Sequence, residues 1–187
     1  MGQSGLGVSQ TQGVGAFIES IVRALDDAGV DWAPFDRSGD GYVDILTVLH
    51  PTAGGGGNRA TDRVWSHRWN LEDATNQRLL NGFETSTPRA NGPGNIRIND
   101  YTIQPLLACS GAAISEIGTF AHEMGHAFGL CHIDPTRAGL EPTFSVMANS
   151  AAGRWTASDM EAIRLVYGAG LSPADPRQRF VAAGLIE

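Results

Sequence analysis

His122, Glu123 and His126 stand inside the stretch FAHEMGHAFGLCH at 120–132, which holds three of the chain's five histidines. On a helix, positions four apart differ by about 40° and stack one turn above the other. The two imidazoles therefore leave the helix from one face, at a separation that suits a single Zn²⁺. Glu123 is offset by one residue from His122, so it stands beside such an ion rather than on it. From there a carboxylate can act as general base for an attacking water. The chemistry that this spacing could do is metal-assisted hydrolysis of a peptide bond.

A catalytic zinc needs three protein ligands and one open position. His132 is six residues past His126, and a continuous helix would carry it away from the ion. Gly129 resolves this, because glycine can end a helix with positive φ and let the chain turn back. The spacing H-E-x-x-H-x-x-G-x-x-H thus reads as one unit: two ligands, a base, a helix break and a third ligand. Met147 follows fifteen residues after His132 in the small-residue stretch FSVMANS. The whole pattern resembles the metzincin clan of zinc peptidases, in which a methionine turn forms an apolar floor beneath the metal. That resemblance implies that Met147 and the small residues 148–153 shape the floor and the adjoining pocket. The plainer alternative, a core helix with solvated histidines, would bury three histidines and a glutamate without a metal to satisfy them. A zinc-bound but catalytically weak binding or adhesion module is the other alternative, although Glu123 is intact.

Stretches outside the motif narrow the resemblance. DRSGDGYVDILTVLH, VWSHRW and GTFAHEMGHAFGL occur in that order and are similar to the secreted bacterial immune inhibitor A-type peptidases. The later RWTASDMEAIRLVYG is similar to the closing helix of matrixins. Together these stretches span roughly residues 31–168. After the glycine, immune inhibitor A-type sequences continue Leu-Pro-Asp, whereas this chain has Leu130, Cys131 and His132, so the resemblance to metzincins makes His132 the expected third ligand. The position two after Met147 is Asn149, not the tyrosine ligand of astacins and serralysins. The resemblance implies a zinc endopeptidase acting on protein or peptide substrates outside the cell, and a monomer. It also implies an α+β, zincin-like fold: a twisted mixed sheet packed on two helices, plus a small C-terminal subdomain with the methionine turn. One catalytic domain is expected over 1–187, its N-terminal part about 1–131 and its C-terminal part about 132–187.

The elements that must position these residues are legible by periodicity. Val14, Phe17, Ile18, Ile21, Val22 and Leu25 fall on one helical face, which predicts a helix over 13–29 with Gly29 as its stop. YVDILTVLHP predicts a strand ending at Pro51. Four consecutive glycines at 54–57 predict a loop. RVWSHRWNL predicts a strand with Trp65, His67 and Trp69 on one side. His67 is placed near the substrate edge or in the core, and His50 is structural. NGFETSTPRANGPGN reads as turn, and IRINDYTIQPLL as one strand or a hairpin turning near Asn99 and Asp100. The active-site helix is expected from about Ser115 to Leu130. A closing helix runs through RWTASDMEAIRLVYG, capped at Thr156. MGQSGLGVSQTQG is a poor strand and carries no signal-peptide pattern.

Composition bounds the partners. The chain has 13 Lys plus Arg, all arginine, against 20 Asp plus Glu, a net charge of −7 that argues against a nucleic-acid backbone as partner. No apolar run approaches a membrane span. Asp36, Ser38, Asp40 and Asp44 alternate around Gly41, like the front half of an EF-hand loop. The twelfth position is Thr47 rather than glutamate, so a full EF-hand is excluded. A weak Ca²⁺ site is one reading of this loop, and an Asp-Gly turn entering a strand is the favoured other. Cys109 and Cys131 are the only cysteines. They are read either as one disulfide, clamping the start of the active-site segment to its end and worth roughly 3 kcal/mol, or as two thiols.

Overall fold

The computed structural model describes residues 13–55, 63–115, 117–130 and Met147. The expected features at 1–12, Cys131, His132 and the closing helix lie outside the described residues. The chain divides into two compact units, Met1–Ser115 and Glu116–Glu187.

The first unit opens with helix α1, Gly13–Asp27. Val14, Ile18 and Val22 are buried along the predicted stripe, with Phe17 and Ile21 packed beside them. At Gly29 φ is +82°. Gly29 N–H donates to the Asp26 carbonyl (2.9 Å) and Val30 N–H to that of Leu25 (3.1 Å), closing the helix in the manner a left-handed glycine permits. Gly15 lies against the short helix α2, Leu71–Ala74, where a Cβ would stand 2.6 Å from the Ala74 carbonyl carbon. The two helices therefore touch backbone to backbone at that point.

Strand β1 is Leu46–Ala53, β2 is His67–Asn70, β3 is Phe83–Pro88, β4 is Asn95–Ile98 and β5 is Asp100–Leu107. One sheet has the order β1-β5-β2, and β3 and β4 form a second, two-stranded sheet. β5 is central and buried from Tyr101 to Pro105. It runs parallel to β1, with Leu46 opposite Tyr101 and His50 opposite Pro105. It runs antiparallel to β2, with His67 opposite Ile103 and Asn70 opposite Asp100. The protein is thus mixed α+β with a small mixed sheet. Val48, Tyr101 and Ile103 join Ile96, Ile98, Phe83, Trp32 and the α1 stripe in one core.

Four expectations are corrected. β1 starts at Leu46 and runs through Pro51 to Ala53, with an irregularity between His50 and Ala53; an outer strand tolerates a proline because one side of its ladder needs no donor. The polar stretch 81–95 contains β3, where Phe83 and Thr85 alternate inward and Thr85 Oγ1 donates to the Ile96 carbonyl (2.9 Å). IRINDYTIQPLL is neither one strand nor a hairpin, since β4 and β5 enter different sheets. Asn99 marks the change: its carbonyl accepts from Leu71 N–H (2.9 Å) and its side chain from Glu72 N–H (3.1 Å). The strand expected in RVWSHRWNL shortens to β2, starting only at His67 and ending at Asn70, which caps α2 by accepting from Asp73 N–H (2.8 Å).

Candidate metal centre

The second unit contains helix α3, Ile117–Ala127. Gly118, Glu123 and Gly125 are buried on it, and His122 and His126 are half-buried. The Nε2 atoms of His122 and His126 are 3.1 Å apart, with the rings nearly perpendicular at 89°. Two nitrogens held by one tetrahedral zinc at roughly 2.0–2.1 Å stand about 3.3 Å from each other. The imidazole pair therefore has the bite of a shared ion. His126 Nδ1 is 2.8 Å from the Leu130 carbonyl oxygen. A carbonyl only accepts, so Nδ1 carries the proton and Nε2 presents its lone pair on the His122 side. That donor chemistry fits a metal bound through Nε2.

The helix ends as the glycine in the motif requires. Gly129 has φ +86°. Its N–H donates to the His126 carbonyl (3.0 Å), and Leu130 N–H donates to the Gly125 carbonyl (2.9 Å). These two bonds form a Schellman motif, with Gly129 as the left-handed residue. Leu130, just past the glycine, is buried. The reversal is what returns the Leu130 carbonyl to the His126 ring.

Met147 is 1% exposed, and its sulfur lies so close to Gly125 that a Cβ there would collide with it. Gly125 and the Leu130 carbonyl are contributors that sequence reasoning passed over. Gly125 had a signal, since a glycine inside a helix costs about 1 kcal/mol and so marks a close approach. The carbonyl is main chain and leaves none. Glu123 is 6% exposed, more buried than either histidine beside it. Among the described residues no three His, Cys, Asp or Glu side chains are grouped to hold a metal, and His132 lies outside them.

The Asp-rich loop is arranged around main-chain amides. Asp36 Oδ2 accepts from Gly41 N–H (3.0 Å), Asp40 Oδ1 from Tyr42 N–H (2.9 Å) and Asp44 Oδ2 from Arg37 N–H (3.1 Å). Ser38 Oγ accepts from Asp40 N–H at 3.4 Å. The Arg89 guanidinium lies over Gly41 and donates to the Asp40 carbonyl. His67 is held on β2 by its Nδ1, which donates to the Trp65 carbonyl (2.7 Å), while Nε2 is 3.3 Å from the buried Tyr101 hydroxyl. Its ring makes edge contacts with Trp69 and Tyr101. Burial lowers the His67 pKa below its usual value, against the opposing pull of the Trp65 carbonyl. His50 donates or accepts at Thr52 Oγ1 (2.8 Å) through Nδ1. Cys109 is half-buried; its expected disulfide partner Cys131 lies outside the described residues.

A profile of the immune inhibitor A peptidase M6 catalytic domain matches residues 31–164. The chain belongs to the immune inhibitor A peptidase M6 family. Relatives within reach of this match include the pre-pro-metalloprotease PrtV of Vibrio cholerae, 35% identical over 124 residues, which is 64% of this chain and 12% of that protein. Another is immune inhibitor A of Bacillus thuringiensis subsp. alesti, 30% identical over 129 residues, covering 60% of this chain and 17% of that protein. The chain thus spans a small part of the length of these relatives. The M6 family is a metallopeptidase family, so a metal cofactor is implied, and α3 with its histidine pair falls inside the matched region. No helix among the described residues is long and apolar enough to cross a membrane.

Proposed function

We propose that this chain is the catalytic domain, over 1–187, of a secreted zinc endopeptidase with a zincin-like, metzincin fold. His122, His126 and His132 are the residues that would hold Zn²⁺, and Met147 is the floor of the site. The observation that carries the reading is the convergence of His122 and His126 at 3.1 Å, with His126 Nδ1 already committed to the Leu130 carbonyl. When bound, the metal polarises the scissile carbonyl and acidifies the attacking water. Glu123 takes the proton of that water and returns it to the leaving amine. Extracellular action agrees with the name of the Vibrio relative, a pre-pro-metalloprotease, and would permit the Cys109–Cys131 disulfide.

The test is metal analysis of the purified chain together with cleavage of an unfolded protein, with Glu123→Ala beside the wild type. One equivalent of zinc in both proteins is expected, with cleavage by the wild type and a loss of at least about a hundredfold in the variant. Zinc without wild-type cleavage would defeat the enzyme and leave a binding module. No zinc in the wild type would defeat the metal centre.

A further inference from the structure

We infer that Gly129 is a positioning residue that sets the tautomer of His126, acting through the main-chain carbonyl of Leu130. A neutral imidazole carries one proton, on either nitrogen. With that proton on Nε2, the atom 3.1 Å from His122 Nε2 would have no lone pair to offer a metal. With it on Nδ1, the ring is a ligand before any metal arrives. The choice is made by the Leu130 carbonyl, 2.8 Å from Nδ1, which can only accept.

That carbonyl is four residues on from His126 and, in a continuing helix, would point away along the axis. It reaches the ring because Gly129 reverses the chain at φ +86°. The bonds from Gly129 N–H to His126 and from Leu130 N–H to Gly125 hold the reversal in register. The buried Leu130 side chain anchors it from the other side. A residue with a Cβ at 129 is disfavoured in this region. Its relaxation to negative φ withdraws the carbonyl and frees Nδ1. The glycine thus does more than end a helix: it prepares the second histidine of the motif. The consequence for zinc rests on the metal reading above, but the tautomer does not.

The test is long-range ¹H–¹⁵N correlation spectroscopy of the metal-free 187-residue chain in mildly alkaline buffer, beside zinc titration. The His126 signals are assigned by their loss in His126→Asn. The wild type is expected to show the Nδ1–H pattern. Gly129→Ala is expected to show the Nε2–H or a mixed pattern, and a zinc Kd raised roughly ten- to hundredfold. Gly129→Asn tolerates positive φ and is expected to restore both readouts. An Nε2–H wild type overturns the inference, as does a folded Gly129→Ala that keeps pure Nδ1–H. If Gly129→Ala does not fold, a folded Gly129→Asn decides, and loss of the Nδ1–H pattern in it is equally fatal. An Nδ1–H wild type that binds no zinc supports the tautomer inference while sinking the metal reading.

Discussion

Gly125 stands one residue before His126, and its missing side chain is filled by the sulfur of Met147. A methyl group placed there would drive the buried thioether away or tilt the helix carrying both histidines. Overpacking of this kind costs about 1–3 kcal/mol. Gly125→Ala is therefore expected to lower the unfolding free energy measured in urea by that amount, offset in part by the roughly 0.5–1 kcal/mol that alanine gains in a helix interior. The collision, rather than propensity, is responsible if Gly125→Ala combined with Met147→Ala destabilises by less than the two changes added together. Additive effects would show that the glycine and the methionine do not share the space. The same residues explain what could be read in advance. The spacing of His122, Glu123, His126 and Gly129 is dictated by one helix and its end, so local geometry suffices to read it. The Leu130 carbonyl has no side-chain signature, and the Met147–Gly125 contact joins residues 22 positions apart in the sequence.

At the level of elements, α1 and its glycine stop follow from apolar periodicity and appear within two residues of the expected end. β3 did not show itself, because its inward positions are Phe83 and Thr85 and a threonine reads as polar until its hydroxyl finds the Ile96 carbonyl. β4 and β5 read as a hairpin because only tertiary pairing separates them into two sheets. The Asp-rich turn 36–44 is the element whose two readings part most clearly. Its carboxylates accept main-chain N–H groups at Gly41, Tyr42 and Arg37, and a guanidinium from the segment after β3 occupies the space above Gly41. The main-chain donors hold the turn without a cation, so millimolar Ca²⁺ is expected to leave the wild-type melting temperature unchanged. Arg89→Ala removes the guanidinium that donates to the Asp40 carbonyl and is expected to lower the melting temperature by a few degrees, corresponding to about 1 kcal/mol. A calcium-induced rise in the wild type would restore the cation-site reading of Asp36, Ser38, Asp40 and Asp44.

Among the described residues, the groups whose shifts tie stability to acid lie in the first unit. Burial lowers the pKa of His50 and of His67 below the ordinary value of 6.5. Each is therefore neutral in the fold where the unfolded chain would already take up a proton. Their contribution to stability is fully present above pH 6.5 and is lost as pH falls through the depressed folded values. Glu19 acts lower down. The Arg78 guanidinium holds its carboxyl below the usual 4.5, with Arg23 adding to the effect and burial opposing it. Its contribution is present above pH 4.5 and disappears as pH falls below that. Acid destabilisation should thus begin just below pH 6.5 from the histidines and steepen below 4.5 from Glu19. Every other titrating group is common to a wild type and a His50→Gln, His67→Gln double variant. Urea midpoints measured from neutral pH down to about pH 5 on both proteins isolate the buried pair. The wild type is expected to lose stability faster than the variant over that interval. Parallel curves would mean that burial of His50 and His67 does not control the acid limb, and a steeper fall in the variant would reverse the assigned sign.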